Sequence, residues 1–81
     1  MSLPLYRNAR YRAEIHLSGI ESWAGNGTVA EKLTEAGFTD VRVKGSGERR
    51  IAEGTWSQDD IADASHLVPK QVKAVIEIVQ S

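Results

Sequence analysis

The sequence predicts an α+β fold, a four-stranded antiparallel sheet with helices on one face in the order β-α-β-β-short α-β. Three observations carry this. Four segments show strand-like alternation or β-rich composition, two stretches carry helix-start signatures, and the composition, 41% apolar and 26% charged, is that of a folded chain. At 81 residues the chain reads as a single domain spanning 1–81, with 1–8 as a poorly ordered or peripheral N-terminal segment. A domain this small buries only about 60% of the surface its unfolded chain exposes.

Tyr11-Arg-Ala-Glu-Ile-His-Leu17 alternates with period two, which directs Tyr11, Ala13, Ile15 and Leu17 to a core and Arg12, Glu14 and His16 to the opposite face. Residues 18–27 hold three glycines and read as a loop. Thr28-Val-Ala-Glu31 then has the form of a capping box, predicting a helix from about Val29 to Ala36, with Gly37 as its stop and Phe38 as the apolar contact after it. Val41 and Val43 alternate with Arg42 and Lys44, Gly45-Ser46-Gly47 suits a hairpin turn, and 49–56 returns as a third strand. Parity places Ile51 and Trp56 on opposite faces unless Gly54 marks a bulge. Ser57-Gln-Asp-Asp60 repeats the N-cap pattern, predicting a short helix within 58–67 before Pro69. In the last strand, Val72, Ala74, Ile76 and Ile78 are expected inward, and Lys73, Val75, Glu77 and Val79 outward.

This order of elements resembles the ferredoxin-like, two-layer split β-α-β arrangement. The resemblance implies that the second and fourth strands are outer and the first and third central. One sheet face then stays open, and on this reading it presents Val75, Val79, Arg12, His16, Arg50 and Trp56 as a candidate interface, beside Arg42 and Lys44.

The absence of cysteine excludes disulfides and zinc-thiolate sites, which leaves self-association as the way to stabilise so small a core. The expected partner is accordingly a second copy or another protein, with the function of a non-enzymatic binding or assembly module. No signal-peptide or membrane-spanning pattern is seen, so a cytoplasmic location and no membrane partner are expected. Net charge is −1 but unevenly spread, with eight Lys and Arg against six acids in 1–52 and two against five in 53–81.

The alternative is a small-ligand or enzymatic site in the 18–28 loop, where Gly25, Asn26, Gly27 and Thr28 precede a helix N-terminus and Trp23 stands beside them. The phosphate-binding glycine patterns are absent, and Trp23 is expected to close the end of the core. A third reading, nucleic acid on the sheet, has Trp56 as its single stacking ring and lacks the aromatic signature of the RNA-recognition domains. The element order is also similar to that of the acylphosphatases, but Ser18–Gly25 lacks the arginine their chemistry uses. Asp59, Asp63 and His66 would share one side of a helix, which alone is the pattern of a polar surface. No catalytic residue, metal ligand or cofactor is therefore expected.

Overall fold

The computed structural model describes residues 2–78. Its elements are β1 (Arg10–His16), a 3₁₀ helix (Gly19–Trp23), α1 (Asn26–Ala36), β2 (Phe38–Ser46), β3 (Arg49–Trp56) and β4 (Val72–Ile78). They form one sheet in the order β2-β3-β1-β4, with every neighbouring pair antiparallel. The first and third strands are thus central.

The alternation in β1 holds. Tyr11 and Ile15 are buried on the core face, and their cross-strand partners Gly54 and Arg50 set the parity of β3. Ala52, Gly54 and Trp56 all point to the core, while Ile51 lies on the open face. Trp56 wins the inward position because it buries far more apolar area than Ile51 can. Its ring meets Phe38 edge-on at 5.0 Å, and its Nε1–H donates to the Asp59 carbonyl at 2.8 Å.

α1 begins three residues before the predicted start, with Gly25 at its N-cap and no side-chain cap from Thr28. Its first turn is set by tertiary contacts of Asn26, described below. Its end matches the expectation, since Gly37 has φ +123° and a Cβ there would lie 2.9 Å from the Trp56 ring. The hairpin turn falls at Gly47-Glu48 rather than Gly45–Gly47, which both strands flank with Ser46 paired to Arg49.

Both outer strands are bulged. In β4, Ala74 and Val75 together oppose Ala13, and Ala74 adopts φ +50°. In β2, Asp40 and Val41 together oppose Gly54, and Asp40 also has φ +50°. An extra residue reverses the parity of everything beyond it. Val75, expected outward, therefore packs against the core. Ile76, expected inward, pairs with Arg12 on the open face and is 53% exposed.

The short helix expected within 58–67 does not form; this segment is turns and bends. Four hydrogen bonds compete with it, three of them to the N-terminal segment. Ile61 exchanges backbone hydrogen bonds with Leu5, both 2.8 Å, and the Asp63 carboxylate accepts the backbone N–H groups of Ser65 and Leu3, each at 3.0 Å. Asp is prone to such turns, which offer the backbone a partner other than the helix ladder. The same bonds draw in the N-terminus. Residues 1–8 read as peripheral, yet Leu5 is among the most deeply buried side chains and joins Tyr11, Trp56 and Ala64 in the core cluster.

Among the described residues α1 is the one α-helix over the sheet, and it packs chiefly over β2, while Leu5, Ile61 and Ala64 cover the Tyr11–Trp56 part. No residue of α1 is fully buried. Between Leu33 of α1 and Leu67 to Pro69 remains an apolar cavity of about 60 Å³, floored by Ala13, Ala52 and Gly54. These small residues on the central strands leave the core incompletely filled.

Candidate functional site

The feature that departs most from ordinary surface chemistry is the 3₁₀ helix after β1. In this helix residues i and i+3 eclipse, so Ile20 and Trp23 form one apolar stripe and Ser18 and Glu21 the next. Trp23 is 85% exposed and Ile20 83% exposed. Trp23 does not close the core, as the sequence led us to expect; it projects from the surface. The sequence carries no signal for this, because burial of a ring depends on how the loop is aimed.

The loop is aimed by Arg50. This arginine occupies the core-face parity of β3 and is only 4% exposed. Its Nη2 donates to the Ser22 carbonyl at 2.9 Å, its Nη1 to Asn26 Oδ1 at 2.7 Å and its Nε to the Gly47 carbonyl at 3.2 Å. Asn26 Nδ2 in turn donates to the Gly45 carbonyl at 3.0 Å. One guanidinium thus ties the 3₁₀ helix, the start of α1 and the β2–β3 hairpin together, a task suited to its fixed planar fork. A second brace comes from Glu21, which accepts the Ser18 N–H at 3.3 Å and Gln71 Nε2 at 2.8 Å.

Beside the apolar stripe lies a polar recess of about 310 Å³, bounded by His16, Ser18, Glu21, Lys70 and Gln71. Its Glu21 carboxylate already accepts the two neutral donors above, whereas no salt bridge among the described residues involves His16 or Lys70. The recess thus sets a hydrogen-bonded carboxylate beside a lysine that makes no described salt bridge.

The open sheet face is different in character. Arg12 forks onto Glu53 at 3.2 and 3.3 Å, Arg10 lies 3.6 Å from Glu53 and 3.5 Å from Asp40, and Arg42 lies 4.0 Å from Asp40. This ladder of opposite charges spans three strands. Ile51, Ile76 and Ile78 border it.

Of the candidate interface, Arg12 and His16 lie on that open face, whereas Arg50, Trp56 and Val75 point to the other side, and Val79 lies outside the described residues. Burial of Trp56 removes the ring on which stacked bases were to rest. Of the candidate ligand loop, Trp23 is exposed, Gly25 caps α1, and Asn26, Gly27 and Thr28 form its first turn. The Asn26 amide is committed to Arg50 and Gly45, and the Thr28 N–H donates to the Gly25 carbonyl at 3.1 Å. With no helix over 58–67, Asp59, Asp63 and His66 do not share a helix side, and no three metal-binding side chains cluster among the described residues. No described helix is long and apolar enough to cross a membrane. Comparison with protein-family models, with curated proteins and with solved structures found no match.

Proposed function

We propose that this chain is a non-enzymatic binding and assembly module of ferredoxin-like plan that works in the cytoplasm as a homodimer, with the Ile20–Trp23 stripe at the centre of its contact. The strand order β2-β3-β1-β4 supports the plan. The observation that carries the function is a tryptophan exposed to 85% on a turn held by a buried arginine. Tryptophan and arginine dominate binding energy at protein interfaces, and a braced loop loses little freedom when it binds. A ring left in water on a rigid support is a surface built for a partner.

The test is light scattering over a wide concentration range, read alongside tryptophan emission. Trp56 is already buried within the chain, so a shift to shorter wavelength on concentrating the protein reports burial of Trp23. Trp23→Ala should leave the melting temperature unchanged and weaken association roughly 30-fold, the effect of losing a central aromatic anchor. A monomer at every concentration, or a dimer indifferent to Trp23→Ala, overturns the proposal.

A further inference from the structure

The chain holds two asparagines, Asn8 and Asn26, and only Asn26 is followed by glycine. An asparagine in that setting can lose its amide: the backbone nitrogen of the next residue attacks the side-chain carbonyl carbon, and glycine leaves that nitrogen unshielded by a Cβ. Around Gly27 the space is open, since a Cβ there would meet nothing within 4 Å. The Gly27 N–H lies in the first turn of α1, where helix geometry supplies no acceptor, and it donates to no described backbone group. The positive end of the helix dipole, with no acidic residue in that turn, favours loss of its proton. The nucleophile is therefore free, and its target is the restrained partner. Asn26 opens α1, and its carboxamide is gripped on both atoms, Oδ1 by Arg50 Nη1 at 2.7 Å and Nδ2 by the Gly45 carbonyl at 3.0 Å. Attack requires Asn26 to turn its ψ out of the helical range and bring Cγ over the Gly27 nitrogen, a movement that this grip opposes.

We propose that Asn26 is a deamidation site, and that the Arg50 brace sets its rate by holding the carboxamide away from Gly27. When the first turn of α1 opens, the Gly27 nitrogen gives its proton to hydroxide and bonds to Asn26 Cγ. The Cγ–Nδ2 bond breaks, and Nδ2 leaves as ammonia with a proton taken from water, which regenerates the hydroxide and closes a five-membered imide. Water then adds to one of the two imide carbonyls, and the carbon–nitrogen bond at that carbonyl breaks. Opening at Cγ leaves aspartate; opening at the main-chain carbonyl leaves isoaspartate. An aspartate keeps an acceptor for Arg50 but has no donor for the Gly45 carbonyl. An isoaspartate carries the main chain through the side-chain carbons, adding a methylene at the first turn of α1. Both products change the tie between α1 and the β2–β3 hairpin irreversibly.

The experiment follows the full chain in mildly alkaline buffer by peptide mass spectrometry. Trypsin cuts after Arg12 and Lys32, and the peptide between them holds Asn26 and no other amide side chain, so its gain in mass reports this site alone. The folded wild type should convert slowly, and at least about ten-fold faster in urea, where the grip is gone. Arg50→Met should convert about ten-fold faster than the folded wild type, the effect of losing one hydrogen bond to a charged group. Arg50→Lys should fall between, and it carries the same comparison if the methionine variant does not fold; near-UV circular dichroism decides which is used. Ala74→Val, in the outer strand on the far side of the sheet, should match the wild-type rate, which separates the brace from general loss of stability. Gly27→Ala, for which there is room, should slow conversion in urea about ten-fold by shielding the nitrogen. A folded wild type that converts as fast as in urea overturns the proposal, as does an asparagine that survives in urea. So does an Arg50 variant no faster than the wild type, or an Ala74→Val chain as fast as the Arg50 variant.

Discussion

Replacing Arg50 with methionine keeps the aliphatic stem and removes the guanidinium, so it isolates the brace beneath Trp23. Three hydrogen bonds are lost. The Gly47 carbonyl lies at an exposed turn and returns to water, so two acceptors matter, the Ser22 carbonyl and Asn26 Oδ1. Hydrogen bonds to a charged group contribute about 1.5–3 kcal/mol each. The lower end applies, because the guanidinium is buried without a carboxylate at its side and its removal recovers desolvation. The expected loss is therefore about 3 kcal/mol, against a total of roughly 4–12 kcal/mol for a domain of this length. At about 4–8 °C per kcal/mol, the melting temperature should fall by about 12–24 °C. Arg50→Lys, which keeps the charge but only a point donor, should fall between. Calorimetric melts measure this, and light scattering well below the transition measures the second consequence, weaker association once the 3₁₀ helix is unbraced. A methionine variant melting within about 4 °C of the wild type would refute the idea that these bonds hold the loop.

Three further outcomes follow from the bulges, the turn and the cavity. Ala74→Val should destabilise by about 2 kcal/mol in urea titrations, although valine is the better strand former, because a β-branched residue resists the positive φ found there. The Asp63 carboxyl is held down to about 2, from an ordinary 3.8, by the Ser65 side chain and by the backbone N–H groups of Ser65 and Leu3. Its folded value lies below its unfolded one, so its contribution is complete above pH 4 and is lost as pH falls towards 2; Asp63→Asn should flatten the fall in urea midpoint over that window. Ala52→Val adds two methyl groups at the floor of the apolar cavity and should raise the urea midpoint, with a gain of about 1 kcal/mol.

Period and punctuation made much of the architecture legible. The alternation of β1, the stop at Gly37 and the return of 49–56 all describe local backbone preferences, and these hold. What failed was parity. Ala74 is an ordinary strand residue by composition, and nothing local requires its left-handed backbone; the bulge exists because it brings Val75 onto the core. In β3, Ile51 and Trp56 compete for the inward face, and counting period two from Ile51 exposes Ala52, Gly54 and Trp56 instead. Once Trp56 takes the core, Arg50 must follow it by parity, and its burial is then made tolerable by carbonyls from three separate segments. Gly47 is 3 residues away, but Asn26 and Ser22 are 24 and 28 away, beyond the reach of a local window on the sequence. The same distance hides Trp23, whose exposure is decided by where Arg50 holds Ser22.

The bulges also bear on how copies can meet. An outer strand presents unpaired backbone groups, and a flat one invites a second strand alongside. Here each outer strand is interrupted at its third residue, β2 at Asp40 and β4 at Ala74, each in a left-handed conformation. Such a break twists the edge locally, and in β4 it leaves in-register runs of only two and three residues, whereas β2 keeps five from Arg42 to Ser46. The open face is blocked differently: its charge ladder is matched within the chain, so stacking two copies would desolvate the Arg12–Glu53 and Arg10–Asp40 pairs without providing new partners. The β4 edge and the open face are therefore both poor routes to assembly. The Ile20–Trp23 stripe remains, where exposed apolar side chains carry no charge to desolvate.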